Sequence, residues 1–250
     1  MDQALRDSLA DVEDRHWWFE GRRMILRRLL ETQGARGPVL EVGCGNGANL
    51  EMLREFGQIT AVEPDDADRA RAAARQIGVV LPGSLPDGLG IDTSFGTVLA
   101  LDVIEHVEDD LASVMAMRDQ LAPGGHLVLT VPAYPWLWSE HDRVNGHYRR
   151  YTRRTLATLL GRADLQIDRL SYFNSFLLGP IAAVRVLGRL FGQDGAGTGL
   201  PPGWLNLSLL KLLGFESRLL GRSNLPVGVS LVAIARHTSR SPLDASLPSR

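Results

Sequence analysis

Between Leu101 and Tyr151 the chain gathers carboxylates, imidazoles and guanidiniums into two clusters. The first is Asp102, Glu105 and His106 in "LDVIEHVEDD". The second is "YPWLWSEHDRVNGHYRRYT", which packs His141, Asp142, His147, Arg149, Arg150 and Tyr151 into eleven residues. An imidazole or carboxylate with a pKa near neutrality can take a proton from a reacting group. Neighbouring guanidiniums can grip a carboxylate or phosphate bidentately. His106 is therefore the first choice of catalytic base and His141 the alternative. Tyr134, His147, Arg150 and Tyr151, with Trp18 near the start of the chain, are candidates to bind a substrate. The spacing in the second cluster fits no standard metal signature, so no metal is assigned. The plainer readings are a helix start whose acids favour the N-terminal dipole and a solvated charged loop.

A second group of residues carries a different chemistry. "VLEVGCGNGANL" sets Gly43, Gly45 and Gly47 between a short apolar run and a helical one, where missing side chains let backbone approach a ligand. A dinucleotide fold prefers G-x-G-x-x-G with the pyrophosphate on the helix N-terminus. Here the spacing is G-x-G-x-G and an acid, Glu41, precedes it. That carboxylate would repel a pyrophosphate but can accept hydrogen bonds from an amino group, directly or through water. Glu63 ends the next apolar run, twenty residues after Gly43, where a carboxylate can take both hydroxyls of a ribose.

These residues need a scaffold, and apolar β-type runs alternate with helical stretches around them. "PVLEVG", "QITAVEP", "GVVLPG", "FGTVLALDV" and "HLVLTVPA" read as strands one to five. "NGANLEMLREF", "DDADRARAAARQ" and "VEDDLASVMAMRDQLAPGG" read as the helices between them. Such alternation predicts an α/β fold with a mostly parallel sheet and helices on both faces. "TRRTLATLLGRA" is a further helix, "LQIDRLSYF" a sixth strand and "GVSLVAIARH" a seventh. About fifty residues separate the last two, holding two leucine-rich helical stretches around "QDGAGTGLPPG".

The glycine loop with Glu41, and Glu63 after the second strand, resemble motifs I and II of the class I S-adenosylmethionine-dependent methyltransferases. "LALDVIEHVEDD" and "LAPGGHLVLTVP" resemble that family's fourth- and fifth-strand motifs. Coverage is roughly residues 15–175 plus the final strand. The resemblance implies a Rossmann-like, seven-stranded sheet and S-adenosylmethionine as cofactor, and the two leucine-rich stretches read as a helical insertion before the last strand. It implies that Glu41, Gly43, Cys44, Gly45, Asn46 and Gly47 hold the methionine moiety and that Glu63, with Pro64, holds the ribose. Ser84 and Leu85 would lie beside the adenine, and Leu101, Asp102 and Val103 would line the site. Two positions depart from the pattern: Ser84 stands where an aspartate is common, and Phe95-Gly96 replaces a Phe-Asp pair. Asp102, Glu105 and His106 match in spacing an acid-x-x-Glu-His set of the ubiquinone-pathway O-methyltransferases, some of which bind a divalent metal there. In those relatives an arginine twenty residues before the first glycine meets the cofactor carboxylate; counting back from Gly43 gives Arg23, with Arg22 in reserve. Both lie in "RHWWFEGRR", where helical spacing puts Trp18, Arg22, Ile25 and Leu29 on one stripe and Phe19, Arg23, Leu26 and Leu30 on the next.

The domain organisation expected is lid helices over 1–34, a cofactor-binding core over 35–175, a helical insertion over 176–227, a last core strand over 228–237 and a disordered tail over 238–250. Residues 1–140 carry 12 arginines and 23 acids, a balance of −11, whereas 141–250 balance at +9. That segregation suggests an acidic cofactor half and a basic half for the acceptor, and it does not point to nucleic acid. A single cysteine, Cys44, excludes an internal disulfide and fits a cytoplasmic setting. Its surroundings read as those of a packed thiol. No stretch reaches the roughly 18 uncharged apolar residues of a membrane span. The function expected is methyl transfer to a small or lipid-like acceptor, at oxygen. A non-catalytic binding module and a nicotinamide oxidoreductase are the alternatives. The leucine-rich pair over 176–222 leaves three roles open: a cover for a hydrophobic acceptor, contact with anionic lipid at the inner membrane face, or a homodimer interface.

Overall fold

A computed structural model describes residues 13–191 and 200–237, with the side chains of 186–191 excepted. The tail expected to be disordered, residues 1–12 and part of the loop in the insertion lie outside the described residues.

Seven strands form one sheet in the order β3-β2-β1-β4-β5-β7-β6. They are β1 (Val39–Val42), β2 (Ile59–Val62), β3 (Val79–Leu81), β4 (Phe95–Leu101), β5 (Leu121–Pro132), β6 (Leu165–Phe173) and β7 (Ser230–His237). β1 pairs in parallel with both β2 and β4, and β7 runs antiparallel to β5 and β6. Chain order reverses across β1, so a crevice opens beyond the carboxyl ends of β1 and β4, where open α/β sheets bind ligands.

Successive strand residues face opposite sides of the sheet, and each side has its own core. Leu40, Val42, Val98, Ala100 and Leu129 bury one face against α4 (Asp110–Arg118) and α6 (Arg153–Arg162), through Val114, Met117, Leu156 and Leu160. Val39, Ala61, Leu99, Val128 and Ile234 bury the other beneath α1 (Trp17–Thr32), α2 (Leu50–Leu53) and α8 (Gly203–Leu220). The remaining helices are α3 (Asp66–Ala74), α5 (Glu140–Val144) and α7 (Leu178–Phe191).

The inserted helix α8 packs on α1. A Cβ on Gly21 would stand 2.3 Å from Leu213 Cδ1, so only a hydrogen at that position lets the two helices approach. Asn206 ties the pair by accepting from the Trp17 amide at 2.9 Å and donating to the Arg15 carbonyl at 2.9 Å. Trp18 stacks on Phe173 of β6, its ring 6.0 Å away at 6°.

Three elements differ from the sequence-based expectation. The helix expected through "LAPGG" stops at Arg118, and β5 starts five residues before the expected strand, at Leu121. Leu121 pairs with Phe95 and the ladder resumes at His126–Thr97, with Gly124 at φ +77° in the irregular stretch between. The Pro-Gly-Gly signal thus marks a bulge inside the strand. After the glycine loop, α2 is only four residues long, because Gly47 and its neighbours turn before the helix begins.

Candidate active site

The glycine loop leaves β1 with Gly43, Gly45 and Gly47 at φ +70°, +55° and +79°, a region that side chains rarely adopt. Their surroundings differ. A Cβ on Gly43 would lie 2.7 Å from Val103 Cγ2, and one on Gly47 would lie 2.9 Å from Leu50 Cδ1, whereas one on Gly45 would meet nothing within 4 Å. The outer two glycines permit close packing, and the middle one faces open space. The Glu63 carboxylate accepts from the Gly45 amide at 2.8 Å and the Asp65 amide at 3.0 Å, joining the ends of β1 and β2. Burial is the main cause that pushes its pKa up.

A cavity of about 620 Å³ opens here, within the range of small-molecule sites. Of the residues singled out from the sequence, Gly43, Gly45, Glu63, Pro64, Ser84, Leu85, Asp102, Val103 and His106 line it. Asp65, Asp68, Asn145 and Gly146 also line it and escaped the sequence reading. Asp65 caps α3 by accepting from the Ala67 and Asp68 amides, a signal readable in "EPDDAD". Gly146, at φ +72°, completes an Asn-Gly turn that the dipeptide itself announces.

Other expected cofactor residues lie behind this wall. Glu41 is buried and accepts from Asn49 Nδ2 at 2.7 Å, while its second oxygen has no partner among the described residues. Burial pushes its pKa up to about 7. Cys44 is a buried free thiol whose pKa burial raises further. Asn46 donates to Glu13 Oε2 at 2.8 Å and accepts from the Ala48 amide at 3.0 Å. Gly47 and Leu101 pack inward.

The two arginines of α1 part company. Arg22 is buried and forms an ion pair with Asp102, which also accepts from Thr130 Oγ1 at 3.2 Å. Arg23 turns instead to the Glu13 carbonyl, at 3.3 Å. The structure therefore places Arg22 behind Asp102, a residue of the cavity wall, while Arg23 stays with the segment before the helix. One residue of helical rotation separates them, and residue counting cannot resolve it.

The charged loop after β5 folds under the cavity. Asp142 is wholly buried and accepts from His147 Nδ1 at 2.9 Å, Arg150 Nε at 2.7 Å and the Ser139 amide at 2.8 Å. Burial opposes its ionisation, but the bonds from His147 and Arg150 outweigh it and hold the carboxyl well below the usual range. The Tyr148 amide donates to the Glu105 carbonyl at 2.7 Å, fastening the loop to the turn after β4. His106 and His147 meet edge to face with ring centroids 4.6 Å apart. Burial, then His147, lowers the His106 pKa to about 4, so the ring is neutral at neutral pH and a weak proton acceptor. Glu105 is 0% exposed and neither carboxylate oxygen has a hydrogen-bond partner among the described residues. Burial and then Asp102 push its pKa well up.

The structure does not bring every expected acceptor residue to the cavity. Arg150 is spent on Asp142 and the Ala133 carbonyl, and the Tyr151 hydroxyl donates to Asp110 at 2.8 Å. Tyr134 stacks on Tyr172 at 5.2 Å, Trp18 packs on Phe173, and His141 is exposed outside the cavity wall.

A family model described as a methyltransferase domain matches residues 15–170. A ubiquinone biosynthesis O-methyltransferase from Xanthomonas euvesicatoria pv. vesicatoria (strain 85-10) is 32% identical over 200 residues, spanning 68% of this chain and 83% of that protein. Among solved structures, an S-adenosylmethionine-dependent methyltransferase from Clostridium acetobutylicum ATCC 824 superposes with a TM-score of 0.56 at 11% identity, covering 87% of this chain and 91% of that one. The glycopeptide N-methyltransferase MtfA complexed with S-adenosylmethionine superposes with a TM-score of 0.53 at 15% identity, covering 86% and 87%.

Proposed function

The chain belongs to the methyltransferase-domain family and is an S-adenosylmethionine-dependent methyltransferase, and from this premise we propose that it methylates an oxygen atom of a small or lipid-like acceptor. The observation that carries the proposal is the junction at His106. This residue lines the cofactor cavity and its ring abuts His147 of the loop after β5, so a polar acceptor pocket adjoins the cofactor. The similarity to a ubiquinone biosynthesis O-methyltransferase supports oxygen as the methylated atom.

The residues present suit the cofactor. Glu63 stands at the end of β2, where its oxygens can take ribose hydroxyls. The unpartnered Glu41 oxygen suits an ammonium, and the unpartnered Arg22 Nε suits a carboxylate. S-adenosylmethionine supplies a methyl group on an already activated sulfonium, so the protein's main task is to hold the acceptor oxygen in line. Ser84 and Leu85 wall the adenine end of the cavity, and Asp102 and Val103 wall the reacting end. The neutral His106 ring accepts a hydrogen bond from an acceptor hydroxyl and positions it. With a pKa near 4 it is too weak to hold the proton by itself.

The inserted helices support the lipid-like part of the reading. Trp204 is 72% exposed, Leu207 and Phe215 are exposed on the same helix, and Arg28, Arg218 and Arg222 gather beside Phe215. An apolar face rimmed by arginines suits an anionic bilayer surface. No helix among the described residues is long and apolar enough to cross a membrane. The test is to incubate the protein with methyl-labelled S-adenosylmethionine and fractionated lipid and metabolite extracts. A labelled methyl ether in one fraction is expected; label on nitrogen or carbon would overturn the oxygen assignment. Sedimentation with phosphatidylglycerol vesicles, reduced by Trp204→Ala with Phe215→Ala, tests the surface. A concentration-dependent dimer lost in the same variant would give that face to a second copy instead.

A further inference from the structure

We propose that Arg28, Arg218 and Arg222 form a binding site for a phosphate monoester, separate from the cofactor crevice. The site deepens the reading of the α8 face given above, and it rests on that reading only where a lipid supplies the phosphate.

The site belongs to one side of α8. Trp204, Leu207, Lys211, Phe215 and Arg218 follow one another at intervals of three or four, with Arg222 just beyond the helix end. That spacing puts them on a common face, and all of them are exposed. The one acid of α8, Glu216, is buried and accepts from the Ser175 amide at 3.0 Å. No carboxylate of the helix therefore answers the cations of its outer face. Arg218 and Arg222 pair with no acid among the described residues, and Arg28 of α1 pairs with Glu31 at 3.3 Å. Closing the helix end does not require them either. The Leu220 carbonyl there accepts from Arg169, which also donates to the Ser223 carbonyl at 3.0 Å.

The three guanidiniums wall a cavity of about 510 Å³ together with Phe215 and Leu219, and none of these residues lines the cofactor cavity. Gly221 shapes it. A Cβ there would stand 2.7 Å from Arg28 Nε and 3.2 Å from Arg28 Cγ, so only a hydrogen lets Arg28 lie across the end of α8. Guanidiniums grip phosphate oxygens through paired N–H donors. Three of them set against the single carboxylate of Glu31 leave two positive charges. Two charges match the dianion of a phosphate monoester better than a carboxylate or a diester, which carry one. Phe215 and Leu219 add an apolar flank, so the ligand class is a phosphate monoester on an apolar or aromatic body. A phosphatidic acid headgroup and a soluble phosphate compound share that chemistry.

The probe is phenyl phosphate, a soluble monoester with a ring to lie on Phe215, titrated calorimetrically into the full chain. One site per chain is expected. Arg218→Gln with Arg222→Gln should weaken it by about 10- to 100-fold. Gly221→Ala keeps every charge but displaces Arg28, and should weaken it by about 3- to 10-fold. Arg153→Gln with Arg154→Gln removes the same charge from the exposed start of α6 and should leave it unchanged. S-adenosylhomocysteine affinity should stay at the wild-type value throughout. No uptake of phenyl phosphate by the wild type would overturn the site, and so would equal losses in the two double variants. The source is read from phosphatidylcholine vesicles carrying phosphatidic acid. Vesicle binding that phenyl phosphate displaces and Arg218→Gln with Arg222→Gln lowers assigns the site to a lipid headgroup. Phenyl phosphate binding without vesicle binding assigns it to a soluble compound and removes the bilayer reading of α8. Vesicle binding without phenyl phosphate binding removes the pocket and leaves the bilayer reading standing.

Discussion

The two sides of the crevice are built from different materials. The cofactor side is backbone: three glycines in left-handed conformations, amides turned toward Glu63, and a strand end on either hand. Its parts lie within about twenty residues, from Gly43 to Glu63. The facing side is side chain: His106 at the wall, backed by Glu105, Asp142, His147 and Arg150, which meet only when the loop after β5 folds back under β4. The first kind of site depends on local chain geometry, which tolerates few residue types. The second depends on long-range packing, which can bring many residue types together. A cofactor cradle can therefore remain fixed while the acceptor pocket varies around it.

That contrast breaks in measurable ways. Gly43→Ala should cost the most, about 2–4 kcal/mol of stability by thermal unfolding, because it adds a left-handed strain to an overlap with Val103. It should also abolish measurable cofactor binding; a variant that unfolds and binds like wild type would remove the backbone argument. Glu41 supplies the next effect. Its folded pKa of about 7 lies above its ordinary 4.5, so the protonated form is favoured in the fold. The associated stability is present below pH 4.5 and is lost as pH rises through 7. The loss amounts to at most about 3 kcal/mol. Denaturant unfolding between pH 5 and 8.5 should show this decline, and Glu41→Gln should flatten it. His106 has the opposite sign. Its pKa falls from 6.5 to about 4, so its contribution is present above pH 6.5 and is lost as pH falls through 4. Acid destabilisation should be smaller in His106→Gln. Arg22→Ala and Arg23→Ala give the smallest and sharpest contrast. Arg22→Ala should weaken cofactor binding by about 1–2 kcal/mol, and Arg23→Ala by less than half of that. Calorimetry on the pair decides which arginine serves the cavity.

What could be read from the sequence follows the same division. The parallel sheet, the glycine loop and Glu63 were legible because strand length, glycine spacing and strand-end acids are local signals. The family resemblance rested on those same stretches. The start of β5 was not, because Pro-Gly-Gly ends a helix or makes a bulge, and only pairing with Phe95 decides. The choice between Arg22 and Arg23 turned on helix rotation, which the docking of Gly21 against Leu213 sets. The loop after β5 was legible in composition alone. Its histidines were visible, but nothing local distinguishes His147, which meets His106, from His141, which faces solvent. Arg150 and Tyr151 looked like ligands for an acceptor because their buried partners, Asp142 and Asp110, become apparent only in three dimensions.

The central claim is that the crevice at the ends of β1, β2 and β4 binds the methyl donor through Glu63. The direct measurement is a calorimetric titration of S-adenosylhomocysteine into the wild-type protein and into Glu63→Ala. The account predicts one site per chain, and a loss of about 1–3 kcal/mol in the variant with its fold intact. Equal affinities in the two proteins, or binding of NADH in place of the sulfur nucleoside, would contradict it.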